Sequence, residues 1–154
     1  IIGEGPGREE DLQGTPFVGR SGKLLDTALA GLGIPASLFH IANIVKCRPP
    51  NNRKPTHAEA LACRPLLQQQ FRFVKPKIIL LMGSAAYQFF TGDTNGRITK
   101  LRGKWLQAGG CDILPTFHPA YVLRSPSQKV HLWSDLEMIR DKLVELGYLE
   151  QDQA

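Results

Sequence analysis

Residues 78–83, IILLMG, form a continuous apolar run between Pro76-Lys77 and Ser84. An apolar run this short, without polar alternation, reads as a strand buried on both faces. That requires helices on both sides of a largely parallel sheet. The run is far too short to cross a bilayer.

The rest of the chain supplies matching elements. Ile1-Ile2 reads as the end of a first strand, and residues 39–45, FHIANIV, as a second. Between them Ser21 predicts a helix N-cap, with Leu24, Leu25, Ala28, Leu29 and Leu32 on one face and Gly33 as its stop. Thr56 and Glu59 have capping-box spacing, and Pro65 predicts a kink or a fresh helix start before residues 66–74. Residues 84–91 read as a short helix, and 105–108 with 111–115 as a hairpin-like pair joined by Gly109-Gly110. Leu132, Leu136, Ile139, Leu143 and Leu146 mark an amphipathic last helix stopped by Gly147. This alternation implies a three-layer α/β/α sandwich with a mostly parallel central sheet. One domain is expected over residues 1–147, followed by a polar tail at 148–154. The chain opens without Met, inside what reads as a buried strand, so an upstream segment is expected.

Composition narrows the function classes. An apolar fraction of 42% suits a globular chain of 154 residues, and no signal-peptide pattern opens it. The formal charge of +5 is clustered: Lys46, Arg48, Arg53 and Lys54 lie in one acid-free stretch, Arg97, Lys100, Arg102 and Lys104 in another. Such clustering suits a polyanionic partner. Three cysteines, an odd number, argue against a disulfide framework and for a reducing, cytoplasmic setting.

In a sheet of this kind, ligands bind beyond the carboxyl ends of the strands. The loops there are 3–20, 43–55, 83–84 and 116–124. The first, GEGPGREEDLQGTPFVGRSG, is rich in glycine but carries Glu4, Glu9, Glu10 and Asp11, which would repel phosphate. Gly22-Lys23 is followed by Leu24, so no Walker loop is present, and Arg8 or Glu10 stands where a dinucleotide fingerprint needs its third glycine. Gly3, Gly5 and Gly7 instead permit close backbone approach at a strand end. Asn43 ends the second strand, where its amide either caps a turn or offers donor and acceptor to a flat heterocycle. His118, in HPAYVLR, follows a strand and faces the first loop; His40, His57 and His131 carry no such context. Cys47 and Cys63 have fifteen residues between them, and two thiols alone make no metal site.

Together and in order, GEGPGxxED, GxPFVGxxG, NIVKCRPPNNR, a second cysteine and HPAYVLR resemble family 4 uracil-DNA glycosylases. The resemblance covers residues 1 to about 146. It implies hydrolysis of the N-glycosidic bond of deoxyuridine, after extrusion of the base from single- or double-stranded DNA. It makes Phe17 the stacking face for uracil and Asn43 the reader of N3–H and O4. Gly5 lies against the substrate, and Glu10 stands where its bulk excludes the thymine methyl. Glu4 would stabilise the sugar cation or orient water, and His118 would donate to uracil O2. The best-known family of the superfamily carries Asp where this motif has Gly5. Lys46, Arg48, Arg53, Arg102 and Lys104 are phosphate-contact candidates. Loop 119–124 would press on the duplex through Leu123 and Arg124.

The same resemblance implies a structural [4Fe–4S] cluster. Cys47 and Cys63 match two of its four ligands, and the other two are expected upstream of Ile1. A monomer is expected, without membrane association. Two other readings compete: a catalytically silent DNA-binding relative, and a nucleotide-binding α/β protein disfavoured by the failed phosphate fingerprints. The covalently trapping members of the superfamily carry a His-bearing insert after the second strand, which RPPNNRKP lacks.

Overall fold

The computed structural model describes residues 1–15 and 17–151, leaving the side chain of Asn52 undescribed. In chain order the elements are β1 (Ile2–Gly3), α1 (Arg8–Gln13), α2 (Arg20–Gly31), β2 (Ala42–Asn43) and α3 (His57–Val74). These are followed by β3 (Ile78–Met82), α4 (Ser84–Thr91), α5 (Ile98–Leu101), β4 (Leu106–Ala108), β5 (Cys111–Thr116), α6 (Pro119–Arg124) and α7 (Lys129–Glu145).

The strands form one sheet in the order β2-β1-β3-β5-β4. Every pairing is parallel except the β4–β5 hairpin, whose register sets Ala108 opposite Cys111. Alternation along β3 separates the two cores. Leu80 and Met82 join Leu114 under α2, α6 and α7, through Leu25, Leu29, Val122, Leu136 and Ile139. Ile79 and Leu81 face the other way with Ile2, Ile44 and Ile113, packing on Ala60 and Leu67 of α3 and Ala86 of α4. The three-layer α/β/α architecture follows from this two-sided burial.

Several local expectations change. The strand expected over 39–45 is two residues long, because its only partner, β1, offers two residues to pair with. The helix expected to be capped by Ser21 starts two residues earlier, with Gly19 as N-cap and Arg20 as its first residue. Pro65 does not break its segment: α3 runs through it from the Thr56–Glu59 capping box to Val74. Pro65 lies on the exposed face, so its ring displaces no packed neighbour. Cys111, whose place inside an apolar strand predicts a core position, is half-buried, its thiol 3.1 Å from the Pro76 carbonyl. The start of the polar tail is held down, with Tyr148 N–H donating to Leu143 O at 2.8 Å; residues 152–154 lie outside the described set.

The exit of β5 is secured by a buried charge. Asp135 of α7 is fully buried and accepts from Arg102 Nε at 2.9 Å and from its NH2 at 2.5 Å. It also accepts from Thr116 Oγ1 at 2.7 Å. Arg102, expected on the DNA rim, is thus turned inward, with its guanidinium 5.8 Å from the centre of the Phe117 ring. Removing one partner of such a pair leaves an uncompensated buried charge. Arg102→Ala is therefore expected to lower unfolding free energy by about 3–5 kcal/mol in urea titration. Thr116→Val should cost about 1 kcal/mol. A loss in Arg102→Ala no larger than in Thr116→Val would show that Asp135 finds other partners.

Candidate active site

The order β2-β1-β3 puts a topological switch point at β1, and the carboxyl ends around it carry Asn43, Gly3-Glu4, Gly83 and Phe117-His118. Two neighbouring cavities open there. One, of about 460 Å³, is lined by Glu4, Gly5, Glu10, Arg53, His118 and Arg124 among others. The other, of about 250 Å³, is lined by Asn43, Lys46, Gln70 and again Glu10. Pro6 and Glu10 form walls common to both.

Phe17 joins the two sides. It is buried, its backbone is left-handed at φ 56°, and its ring lies 6.0 Å from that of His118, inclined by 28°. Gly3 makes this approach possible. A Cβ there would stand 2.7 Å from Phe17 Cζ and 2.7 Å from Asn43 Oδ1. Any larger residue would push the aromatic ring and the amide away from the strand end. Glu4, Phe17, Asn43 and His118 are thereby gathered at one edge of the sheet.

His118 is the N-cap of α6, and its Nδ1 accepts the Ala120 N–H at 3.0 Å. An Nδ1 that accepts leaves the ring proton on Nε2, available as a donor. Burial pushes the imidazole pKa down to about 4; Arg124 reinforces this and Glu10 opposes it. The ring is neutral at pH 7. For Glu4, burial raises the carboxyl pKa above its ordinary value, against the pull of Lys54 and then Arg124. Asn43 is buried, and its Oδ1 has no hydrogen-bond partner among the described residues. An orphaned buried acceptor is costly unless a ligand supplies the donor.

Glu10 has a structural task that its sequence position did not announce. Its carboxylate accepts from Gly7 N–H and Val18 N–H, each at 3.0 Å, and from Gly19 N–H at 2.6 Å. One side chain thus closes the loop on both sides of Phe17.

The basic candidates divide. Lys46 is tethered within the protein, its Nζ donating to Asn43 O at 2.8 Å and Gln70 Oε1 at 2.5 Å, so two of its three donors are already engaged. Arg53 lines the larger cavity while paired with Glu59 at 2.6 Å. Arg48 is itself partnered, and Lys104 is exposed. Leu123 and exposed Arg124 lie on a short helix, α6, where the sequence suggested an open loop. Lys54, which acts on Glu4, and Gly83, packed under His118, were not singled out. Gly83 had a legible signal, a glycine closing the central apolar run.

Residues 1–137 match the family profile described as the Uracil DNA glycosylase superfamily. This chain belongs to the uracil-DNA glycosylase superfamily. A Type-4 uracil-DNA glycosylase of Thermotoga maritima is 47% identical over 133 residues, covering 84% of this chain and 68% of that protein. A Type-4 uracil-DNA glycosylase of Sulfurisphaera tokodaii is 42% identical over 149 residues, covering 92% and 68%. A Type-4 uracil-DNA glycosylase of Pyrobaculum aerophilum is 41% identical over 145 residues, covering 90% and 74%.

The resemblance to family 4 uracil-DNA glycosylases raised the expectation of a [4Fe–4S] cluster, so the surroundings of the cysteines matter. The Cys63 thiol accepts the Lys46 N–H at 3.4 Å, which brings it beside the residue preceding exposed Cys47. Among the described residues, however, no group of three or more His, Cys, Asp or Glu side chains could hold a metal. The described donor set does not by itself fit a four-thiolate cluster.

Glu10→Gln preserves bulk but replaces one accepting oxygen with an amide donor aimed at backbone N–H groups. It is expected to lower uracil excision at least about tenfold and to speed proteolysis within residues 7–19. Full excision, with thymine still rejected, would show that bulk alone matters at this position.

Proposed function

We propose that the cavities together receive a deoxyuridine extruded from DNA and hydrolyse its N-glycosidic bond, releasing uracil and leaving an abasic site. The observation that carries this reading is the buried Asn43 amide, whose Oδ1 lacks a partner among the described residues, linked through Phe17 to a neutral His118 with its proton on Nε2. Uracil answers both, offering N3–H to Oδ1, O4 to Nδ2, and O2 to Nε2. Cytosine presents the reverse pattern at positions 3 and 4 and would leave buried groups unpaired.

In the reaction the C1′–N1 bond breaks and its electron pair leaves with uracil. His118 stabilises the resulting anion through its hydrogen bond to O2, without itself needing a charge. The anionic Glu4 stabilises the oxocarbenium-like sugar and orients water, whose hydroxyl adds to C1′ while its proton passes to the leaving base. Phe17 stacks on the base, Gly5 allows it close approach, and Glu10 closes the wall toward the 5-position. Arg48, Arg53, Lys104 and Arg124 contact phosphates, and Leu123 fills the space vacated by the base. The substrate is uracil in single- or double-stranded DNA, acted on by a monomer in the cytoplasm through one domain over residues 1–147. Among the described residues no helix is long and apolar enough to cross a membrane.

Cys47 and Cys63 would supply two of the four thiolates that a [4Fe–4S] cluster needs. Such a cluster would order residues 47–63, and no catalytic step passes through it. A silent DNA-binding relative would have no use for a neutral, Nε2-donating histidine beside an unpaired amide.

Asn43→Asp should lower uracil excision by at least about a hundredfold with little change in DNA affinity, because a carboxylate cannot donate to O4. Unchanged excision would remove Asn43 from base recognition. The pH dependence follows from the two titrating groups. Glu4 acts deprotonated, so activity falls as pH drops through its raised pKa; His118 stays neutral down to about 4. The acid limb of kcat/KM should disappear in Glu4→Gln. A limb near 6.5 that vanishes only in His118→Asn would contradict this assignment.

A further inference from the structure

Lys46 is tethered to both β2 and α3 at this edge of the sheet, and DNA phosphate does not explain its tethers. Among the described residues β2 is an edge strand, paired with β1 over Ala42 and Asn43. The ladder continues through Ile44 N–H to Gly3 O at 3.0 Å and Val45 N–H to Glu4 O at 3.1 Å. The Asn43 carbonyl is instead taken by Lys46 Nζ at 2.8 Å, and the same ammonium donates to Gln70 Oε1 at 2.5 Å. The backbone N–H of Lys46 reaches Cys63 Sγ at 3.4 Å. Gln70 and Cys63 are seven residues apart on α3, two turns along one face, so residue 46 is stapled to that helix from both ends.

This matters because, among the described residues, no hydrogen bond orients the Asn43 side chain at its oxygen. Oδ1 has no partner, so its position is inherited from the backbone that Lys46 holds. The ammonium also lines the cavity that Asn43 lines. A positive charge there favours a base with an acceptor at its 4-position over one with an amino donor. We propose that Lys46, fixed by Gln70, is a specificity-determining positioning residue that holds Asn43 and biases the site toward a 4-oxo pyrimidine. The proposal rests on the reading of Asn43 as the base-recognising amide.

The test uses the whole chain with Lys46→Met, Lys46→Arg, Gln70→Leu and Asn43→Ala. Excision of deoxyuridine from a single-stranded oligonucleotide is measured as kcat and KM at two salt concentrations. Inhibition by free uracil and by free cytosine gives the selectivity ratio. Lys46→Met, which keeps the stem and removes the charge, should lower the uracil-to-cytosine ratio about tenfold. Lys46→Arg should restore most of it, and Gln70→Leu should give an intermediate loss. A merely structural role would weaken both bases alike, leaving the ratio unchanged, and that result overturns the proposal. A rise in KM with a shallower salt dependence and an unchanged ratio also overturns it, returning Lys46 to the phosphate-contact set. Asn43→Ala separates the two levels. If it spares uracil excision, the reading of Asn43 fails. If it abolishes excision while Lys46→Met keeps its selectivity, only the role of Lys46 fails.

Discussion

The site depends on one carboxylate. Glu10 collects three backbone N–H groups, from Gly7, Val18 and Gly19, and so folds a glycine-rich stretch back on itself. Charge-assisted bonds to backbone donors are among the stronger hydrogen bonds in proteins, and here they replace a hydrophobic core that the loop lacks. Closing that loop swings Phe17 into a left-handed backbone conformation above Gly3, where its ring meets His118 and the Asn43 amide. Loop, strand end and helix cap then share one edge of the sheet.

The opposite wall is held by different means. His118 is kept neutral by burial, and its proton is kept on Nε2 by the Ala120 N–H. Its place in the chain is set by β5, whose last residue, Thr116, bonds to the buried Asp135–Arg102 pair. Gly83, at φ 92°, packs beneath: a Cβ there would come within 3.1 Å of His118 Cβ. Charge state, tautomer and position thus have separate causes, and each can be altered without the others.

The readings that survived best were those carried by local periodicity. The apolar run of β3, the glycine-joined hairpin and the leucine spacing of α7 each require burial of one pattern on one neighbour, and each formed close to where the residues imply. The Thr56–Glu59 capping box also formed, because its bonds lie within four residues. Elements governed by context shifted. β2 is short because β1 is, Pro65 is tolerated because it faces outward, and α1 and α6 are too brief for any periodic signal. Lys46 and Arg102 read as free cations, since nothing nearby in sequence announces Gln70 or Asp135 as their partners.

The sequence by itself determined the layer architecture and the sheet edge where ligands bind, and motif order added Glu4, Phe17, Asn43 and His118 through the resemblance to uracil-DNA glycosylases. Those conclusions rest on patterns and residue types, which are local properties of the chain. Only the tertiary structure decided which donors were already engaged, that Glu10 is an anchor, and that an oxygen of Asn43 was left unpaired. Hydrogen bonds between residues tens of positions apart depend on how helices dock on the sheet, and burial depends on every neighbour at once. Chemistry was written locally; its orientation was not.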